Sequence, residues 1–272
     1  MSSLRDHPIG VFDSGIGGLT VVRELFRLLP NESVLYFGDT ARVPYGPKSR
    51  GTVQRYSREA AAFLLSRKVK LVVIACNTAT AHALDTLQDE LPVPVIGVIE
   101  PGARTAARAS KSGRIGVIGT AGTIASGAYD FAVRRLVKDA RVYAQPCPLF
   151  VPLIEEGWLD RPATRLVAEE YMRPLREVDI DVLILGCTHY PLLSGVLHSV
   201  LGNGVQLVDS GRETALEVQR VLTERDLLRT AGDAPEHEFI ASDSPMRFRE
   251  VGRRFLAGKI FDVQRVDVEG MK

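Results

Sequence analysis

Short apolar runs rich in Val and Ile alternate along this chain with longer stretches of helical spacing, a pattern that points to a mostly parallel sheet covered by helices. Eight such runs read as strands: Ile9–Phe12, Val34–Phe37, Leu71–Ala75, Val95–Val98, Ile115–Ile118, Val142–Ala144, Val182–Leu185 and Val205–Val208. Two weaker ones follow, at Phe239–Ala241 and Ile260–Val263. Between strands, Val53, Tyr56, Ala60, Phe63 and Leu64 recur at the spacing of one helix face across Val53–Ser66. The predicted class is α/β.

The first four strands and the next four carry similar landmarks in the same order. IGVFDS at residues 9–14 is matched by IGVIGT at residues 115–120, and VVIACNT at 72–78 by VLILGCTH at 182–189. Strand ends at Glu100 and Asp209 also correspond. The chain therefore reads as duplicated: two pseudo-symmetric three-layer domains, each with a mostly parallel sheet flanked by helices, and the active site in the cleft between them. Residues 1–100 with 211–272 form the first expected domain and 101–210 the second. A repeated scaffold alone carries no chemistry. In a wound parallel sheet, however, ligands bind beyond the carboxyl ends of strands, and both Cys76 and Cys187 lie at such ends.

Composition removes several function classes. With 34 Lys and Arg against 33 Asp and Glu, the net charge of +1 supplies no field for a phosphate backbone, so nucleic acid is not an expected partner. The polar segment Met1–Pro8 lacks a secretory core, and no apolar run reaches membrane-spanning length, so a cytoplasmic protein without membrane attachment is expected. The three cysteines, Cys76, Cys147 and Cys187, form no C-x-x-C and cannot all pair, which reads as free thiols. Cys147, before Pro148, has no counterpart in the duplication and is assigned to structure. No metal is expected, because Cys76, Cys187, His82 and His189 lack ligand spacing.

Cys76-Asn77-Thr78 precedes a helix expected to begin near Thr80, and Cys187-Thr188-His189 precedes one whose first turn suits Pro191. Helix amino ends favour a thiolate over the ordinary thiol. A lone cysteine at such a place is most often inert, but two at equivalent places offer a base and an acid to opposite faces of one carbon. That arrangement inverts a stereocentre, a reaction whose substrate and product are mirror images.

The loop Asp13-Ser14-Gly15-Ile16-Gly17-Gly18 lets backbone amides approach a ligand. It also partly mimics a dinucleotide fingerprint, with Asp39 where a ribose carboxylate would stand, although Thr20 replaces the third small residue and Asp13 would oppose a pyrophosphate. In the loop Thr40–Gly46, Tyr45 or nearby amides could grip a carboxylate, with a plain turn as the alternative. His189 and Asp13 stand where they could assist proton exchange, and Glu155 could reach the cleft or lie exposed on a helix.

Taken together, these residues resemble those of the bacterial glutamate racemases of the aspartate/glutamate racemase family. The resemblance rests on Asp13-Ser14 with GIGGLTV, Gly38-Asp39-Thr40 through Pro44-Tyr45-Gly46, Ala75-Cys76-Asn77-Thr78-Ala79, and Gly186-Cys187-Thr188-His189-Tyr190-Pro191. It spans the chain and thins beyond Leu222, where only Arg247–Phe255 looks familiar. What it implies is cofactor-independent racemisation of glutamate to supply D-glutamate for peptidoglycan, with Cys76 and Cys187 as the two proton carriers. Asp13, Glu155 and His189 would support them. Implied substrate contacts are Asp13, Ser14, Tyr45, Gly46, Asn77, Thr78, Thr120, Thr188 and His189. A small-molecule substrate is thus the expected partner, and a homodimer stays open as an assembly. Rival readings are a racemase of aspartate or a hydantoin, a nicotinamide-dependent oxidoreductase, and a non-catalytic amino-acid-binding module.

Overall fold

The computed structural model describes residues 4–230, 233–257 and 262–267. Strands β1 (Ile9–Asp13), β2 (Val34–Gly38), β3 (Leu71–Ile74), β4 (Val95–Gly97), β5 (Arg114–Gly119), β6 (Arg141–Pro146), β7 (Val182–Gly186), β8 (Gln206–Asp209), β9 (His237–Ala241) and β10 (Val263–Arg265) form two sheets. Helices α1 (Leu19–Leu28), α2 (Arg50–Ser66), α3 (Asn77–Glu90), α4 (Ile99–Ala109), α5 (Ala121–Ala125) and α6 (Ala128–Leu136) connect the earlier strands. Helices α7 (Phe150–Glu155), α8 (Pro162–Glu177), α9 (Ser194–Leu201), α10 (Ser210–Glu224) and α11 (Pro245–Phe255) follow.

The first sheet runs β10-β9-β2-β1-β3-β4 and the second β6-β5-β7-β8, with parallel pairing in both. Stripped of β9 and β10, the first sheet has the same order as the second. The duplicated landmarks therefore occupy equivalent strands, β1 with β5 and β3 with β7. Within each sheet the two landmark strands, β1 with β3 and β5 with β7, lie side by side at the place where strand order reverses, which is where such sheets open a crevice. Register keeps the ends level: Asp13 pairs with Gly38, Ile74 with Phe12, and Gly119 with Gly186.

Strands β1, β2, β3 and β7 are buried along their whole length, which explains why they are continuous apolar runs instead of alternating ones. One apolar cluster includes Leu19, Val73 and Ala215 from the elements around the first sheet and Leu185 and Tyr190 from those around the second. Helix α10 leaves the second sheet and packs on α1 and α4, and β9 then adds beside β2. Among the described residues no helix is long and apolar enough to cross a membrane.

Several boundaries differ from the sequence reading. Helix α3 starts at Asn77, not near Thr80, because Cys76 is its cap: the Ala79 amide donates to Cys76 Sγ at 3.4 Å and the Thr80 amide to the Cys76 carbonyl at 2.8 Å. After Cys187 comes a 3₁₀ turn, Tyr190–Leu193, so Pro191 opens that turn and the α-helix begins only at Ser194. Asp209 caps α10 through the Gly211 amide at 2.8 Å, so that helix starts at Ser210. The expected strand at Ile260–Val263 lies partly outside the described residues, and the described strand is Val263–Arg265.

Candidate active site

At the end of β1 the chain folds back on its own carboxylate. The Gly15 amide donates to Asp13 Oδ2 at 3.0 Å, and the Ser14 and Gly18 amides also bond to that buried carboxylate. The anion nest of the glycine loop is thus filled from within. Burial holds the Asp13 carboxyl above its usual range, partly offset by the charge of His189 and by these amides. Asp39 is likewise committed: its oxygens accept from Arg42 Nε at 2.7 Å, Tyr45 OH at 2.5 Å and Ser242 Oγ at 3.0 Å. Neither carboxylate nor nest is left open for a dinucleotide, whose fingerprint the loop partly resembles.

Cys76, at the end of β3, is 6% exposed. Its thiol donates to Ser14 Oγ at 3.6 Å and its sulfur accepts the Ala79 amide. Burial is the main reason the thiol is pushed up to about 12, with the Asp13 charge adding to it and a smaller contribution from Cys187. This reverses the expectation of a helix-lowered thiol, because desolvation of the anion outweighs the amide and the Ser14 hydroxyl.

Cys187, at the end of β7, has a different partner. His189 Nδ1 lies 3.9 Å from Cys187 Sγ, and His189 Nε2 donates to Glu155 Oε1 at 3.0 Å. Burial opposes a charge on His189, but the Cys187 sulfur and the Glu155 carboxylate outweigh it and push the imidazole up to about 10. Glu155 is held below the usual carboxylate range, since its bond to His189 and the charges of His189 and Arg247 overcome burial. The imidazolium gives a sulfur anion at Cys187 a counter-charge through a fixed, two-ended hydrogen-bonding ring.

Elements of the two sheets meet closely here. A Cβ on Gly17 would stand 2.2 Å from Thr188 Oγ1 and 2.4 Å from His189 Nδ1, so only glycine permits that approach. Thr20 Oγ1 donates to the Thr188 carbonyl at 3.0 Å, and Thr78 Oγ1 shares a hydrogen bond with Thr120 Oγ1 at 2.8 Å. A Cβ on Gly46 would meet Thr120 Cβ at 2.9 Å. Asn77 Nδ2 donates to Tyr129 OH at 2.8 Å.

Of the residues singled out from sequence, the structure groups Asp13, Ser14 and Cys76 on one side and Cys187, His189 and Glu155 on the other. Thr78, Thr120 and Gly46 form a third group. Tyr45 is the exception, because its side chain is buried and its hydroxyl is spent on Asp39. Three polar residues enter that sequence reasoning missed. Thr123 bonds both Thr78 and Thr120 at 3.0 Å, Thr20 braces Thr188, and Tyr129 links Asn77 to Ser210. Only Thr123 had a local signal, its amide being capped by Thr120 three residues earlier.

Residues 9–218 match the Asp/Glu/Hydantoin racemase family. Glutamate racemase of Geobacter metallireducens is 54% identical over 264 residues, covering 97% of this chain and 98% of that protein. Glutamate racemase of Syntrophus aciditrophicus is 50% identical, covering 96% and 97%. The crystal structure of glutamate racemase from Francisella tularensis in complex with D-glutamate superposes with a TM-score of 0.92 at 41% identity, covering 97% of this chain and 99% of that one. Two matched wound sheets, a thiol at the end of β3 and another at the end of β7, and likeness of this extent lead to one assignment: the chain belongs to the Asp/Glu/Hydantoin racemase family.

Proposed function

We propose that this protein is a glutamate racemase, an isomerase that interconverts L- and D-glutamate by moving the α proton between Cys76 and Cys187. The observation that carries this reading is the pair of buried thiols at equivalent strand ends, one beside Ser14 and Asp13, the other beside a Glu155–His189 pair. The scheme needs no cofactor. A sulfur anion at one cysteine takes the α proton, leaving a carbanion conjugated with the substrate carboxylate. The opposite thiol donates its proton to the other face, so one S–H bond forms as another breaks. Exchange with solvent, through Asp13 on one side and His189 on the other, restores the starting charges.

His189 and Asp13 divide the labour unequally. The imidazolium compensates an anion at Cys187, whereas burial and Asp13 favour the neutral thiol at Cys76. The two thiols exchange the roles of base and acid with each inversion. Ser14, Gly46, Asn77, Thr78, Thr120 and Thr188 supply hydroxyls and amides for the substrate's polar groups, and the part played by Tyr45 is through its backbone. In this reading residues 1–100 with 211–272 and residues 101–210 are the two domains that close on the substrate. The enzyme acts in the cytoplasm, where its product feeds peptidoglycan synthesis.

Purified protein incubated with L-glutamate in deuterated water, with no cofactor added, tests this. D-Glutamate carrying one solvent deuterium at the α carbon is expected. Inversion without deuterium uptake, or none until a nicotinamide or pyridoxal cofactor is supplied, refutes the scheme. A panel of aspartate and hydantoins in the same assay separates the related racemases.

A further inference from the structure

Asp39 is a buried carboxylate for which the two-thiol scheme has no task. It is 0% exposed at the end of β2, and two chain segments converge on it. Tyr45 and Arg42 belong to the loop that follows β2, Ser242 to the turn after β9, and Arg42 continues to Glu59 on α2. Ser242 Oγ in turn accepts the Ala41 amide at 2.8 Å, and Thr40 Oγ1 bonds the Asp243 carbonyl at 2.6 Å and its amide at 2.8 Å. Arg42 also lies over the Tyr56 ring at 4.1 Å. Burial, reinforced by Asp39, drives the Tyr45 phenol far above its ordinary value, so it remains a donor to that carboxylate.

The far end of the same loop touches the second sheet's elements. Gly46 stands against Thr120, and a Cβ on Gly122 would fall 2.5 Å from the Gly46 carbonyl. Thr120 shares its hydroxyl with Thr78, two residues beyond Cys76. Asp39 is therefore joined through Tyr45, Gly46 and Thr120 to the segment that carries one thiol, although it touches none of the reacting groups.

Resting on the racemase reading above, we propose that Asp39 is a positioning residue for the substrate-binding loop of residues 40–46. Through Tyr45, Arg42 and Ser242 it fixes where Gly46 meets Thr120, and so sets affinity for the substrate and not the rate of proton transfer. A polar loop on an exposed rim would otherwise sample many conformations, and a substrate would have to order it on binding. A carboxylate that accepts two hydrogen bonds from the loop itself and a third from the turn after β9 removes that freedom beforehand.

The test uses three single variants of the full chain, Asp39→Asn, Ser242→Ala and Tyr45→Phe, with KM and kcat for both enantiomers and a thermal melt for each. Loss of a charged acceptor should raise KM about tenfold in Asp39→Asn, and loss of one donor about threefold in the other two, with kcat within about twofold of wild type. Because Asp39 couples to Tyr45, the Asp39→Asn, Tyr45→Phe double variant should show less than the product of the single effects. Wild-type KM in both Asp39→Asn and Ser242→Ala, with Tyr45→Phe alone impaired, would overturn the proposal, since the phenol would then act on substrate directly. So would a fall in kcat at unchanged KM. Should Asp39→Asn not fold, Ser242→Ala, which removes a single hydroxyl, decides. Wild-type protein measured first keeps the two readings apart: no racemisation there refutes the function, whereas racemisation with unchanged variant KM refutes only the role of Asp39.

Discussion

Replacing His189 by Gln keeps a polar side chain beside Cys187 but removes its charge. A unit positive charge 3.9 Å from a sulfur anion contributes about 4 kcal/mol at an effective dielectric near 20, a ceiling of roughly three decades in rate. Water and the retained amide recover part of this, so kcat/KM should fall on the order of 100- to 1000-fold. Two enantiomers have equal free energy in an achiral solvent, so the fall must be the same from L- and from D-glutamate, even if kcat and KM shift unequally. Progress curves by circular dichroism from each enantiomer measure it. A variant within about threefold of wild type would show that the imidazolium does not support Cys187, and the charge argument would fail. Stability carries a linked signature. His189 titrates higher folded than unfolded, so its contribution is complete below the ordinary imidazole value near 6.5 and is lost as pH rises through about 10. The melting-temperature gap between wild type and His189→Gln should therefore be widest near pH 6.5 and close towards pH 10.

Cys76→Ser and Cys187→Ser should each abolish net racemisation while leaving the fold intact, and near-normal turnover in either would refute the two-base scheme. Gly17→Ala should cut activity severely, because its methyl would enter the space of Thr188 and His189; an active variant would mean that the two halves separate there without penalty. Lys70, fully buried, is ion-paired with Glu32 at 2.5 Å and bonded to the Arg5 and Leu227 carbonyls beneath the first sheet. Lys70→Met leaves a buried carboxylate without its cation and should cost about 3–5 kcal/mol, lowering the melting temperature on the order of 10 °C with kcat unchanged.

The strands were legible because both faces of each central strand are covered, which writes them as unbroken Val and Ile runs. The duplication located the two cysteines, since equal strand order places equal landmarks at equal edges. Helix α3 was misplaced by three residues because its cap is a cysteine, outside the usual Ser, Thr, Asp and Asn set. Cys76 was expected to be acidified by its helix, but the burial that opposes this depends on the facing half and is invisible in local sequence. Tyr45 illustrates the same limit. Its direction is set by Asp39, which is held by Ser242 from 203 residues away. Glu155 reads in sequence equally well as an exposed helix carboxylate, and its 3.0 Å contact with His189, 34 residues on, is one that local sequence does not reveal.

The central claim is that two sulfurs serve one carbon from opposite sides. A crystal structure of this protein with bound glutamate tests it most directly. The account predicts Cys76 Sγ and Cys187 Sγ each about 3.5 Å from the α carbon, on its two faces. A substrate reached by one sulfur only, with the other turned to a separate pocket, would contradict it.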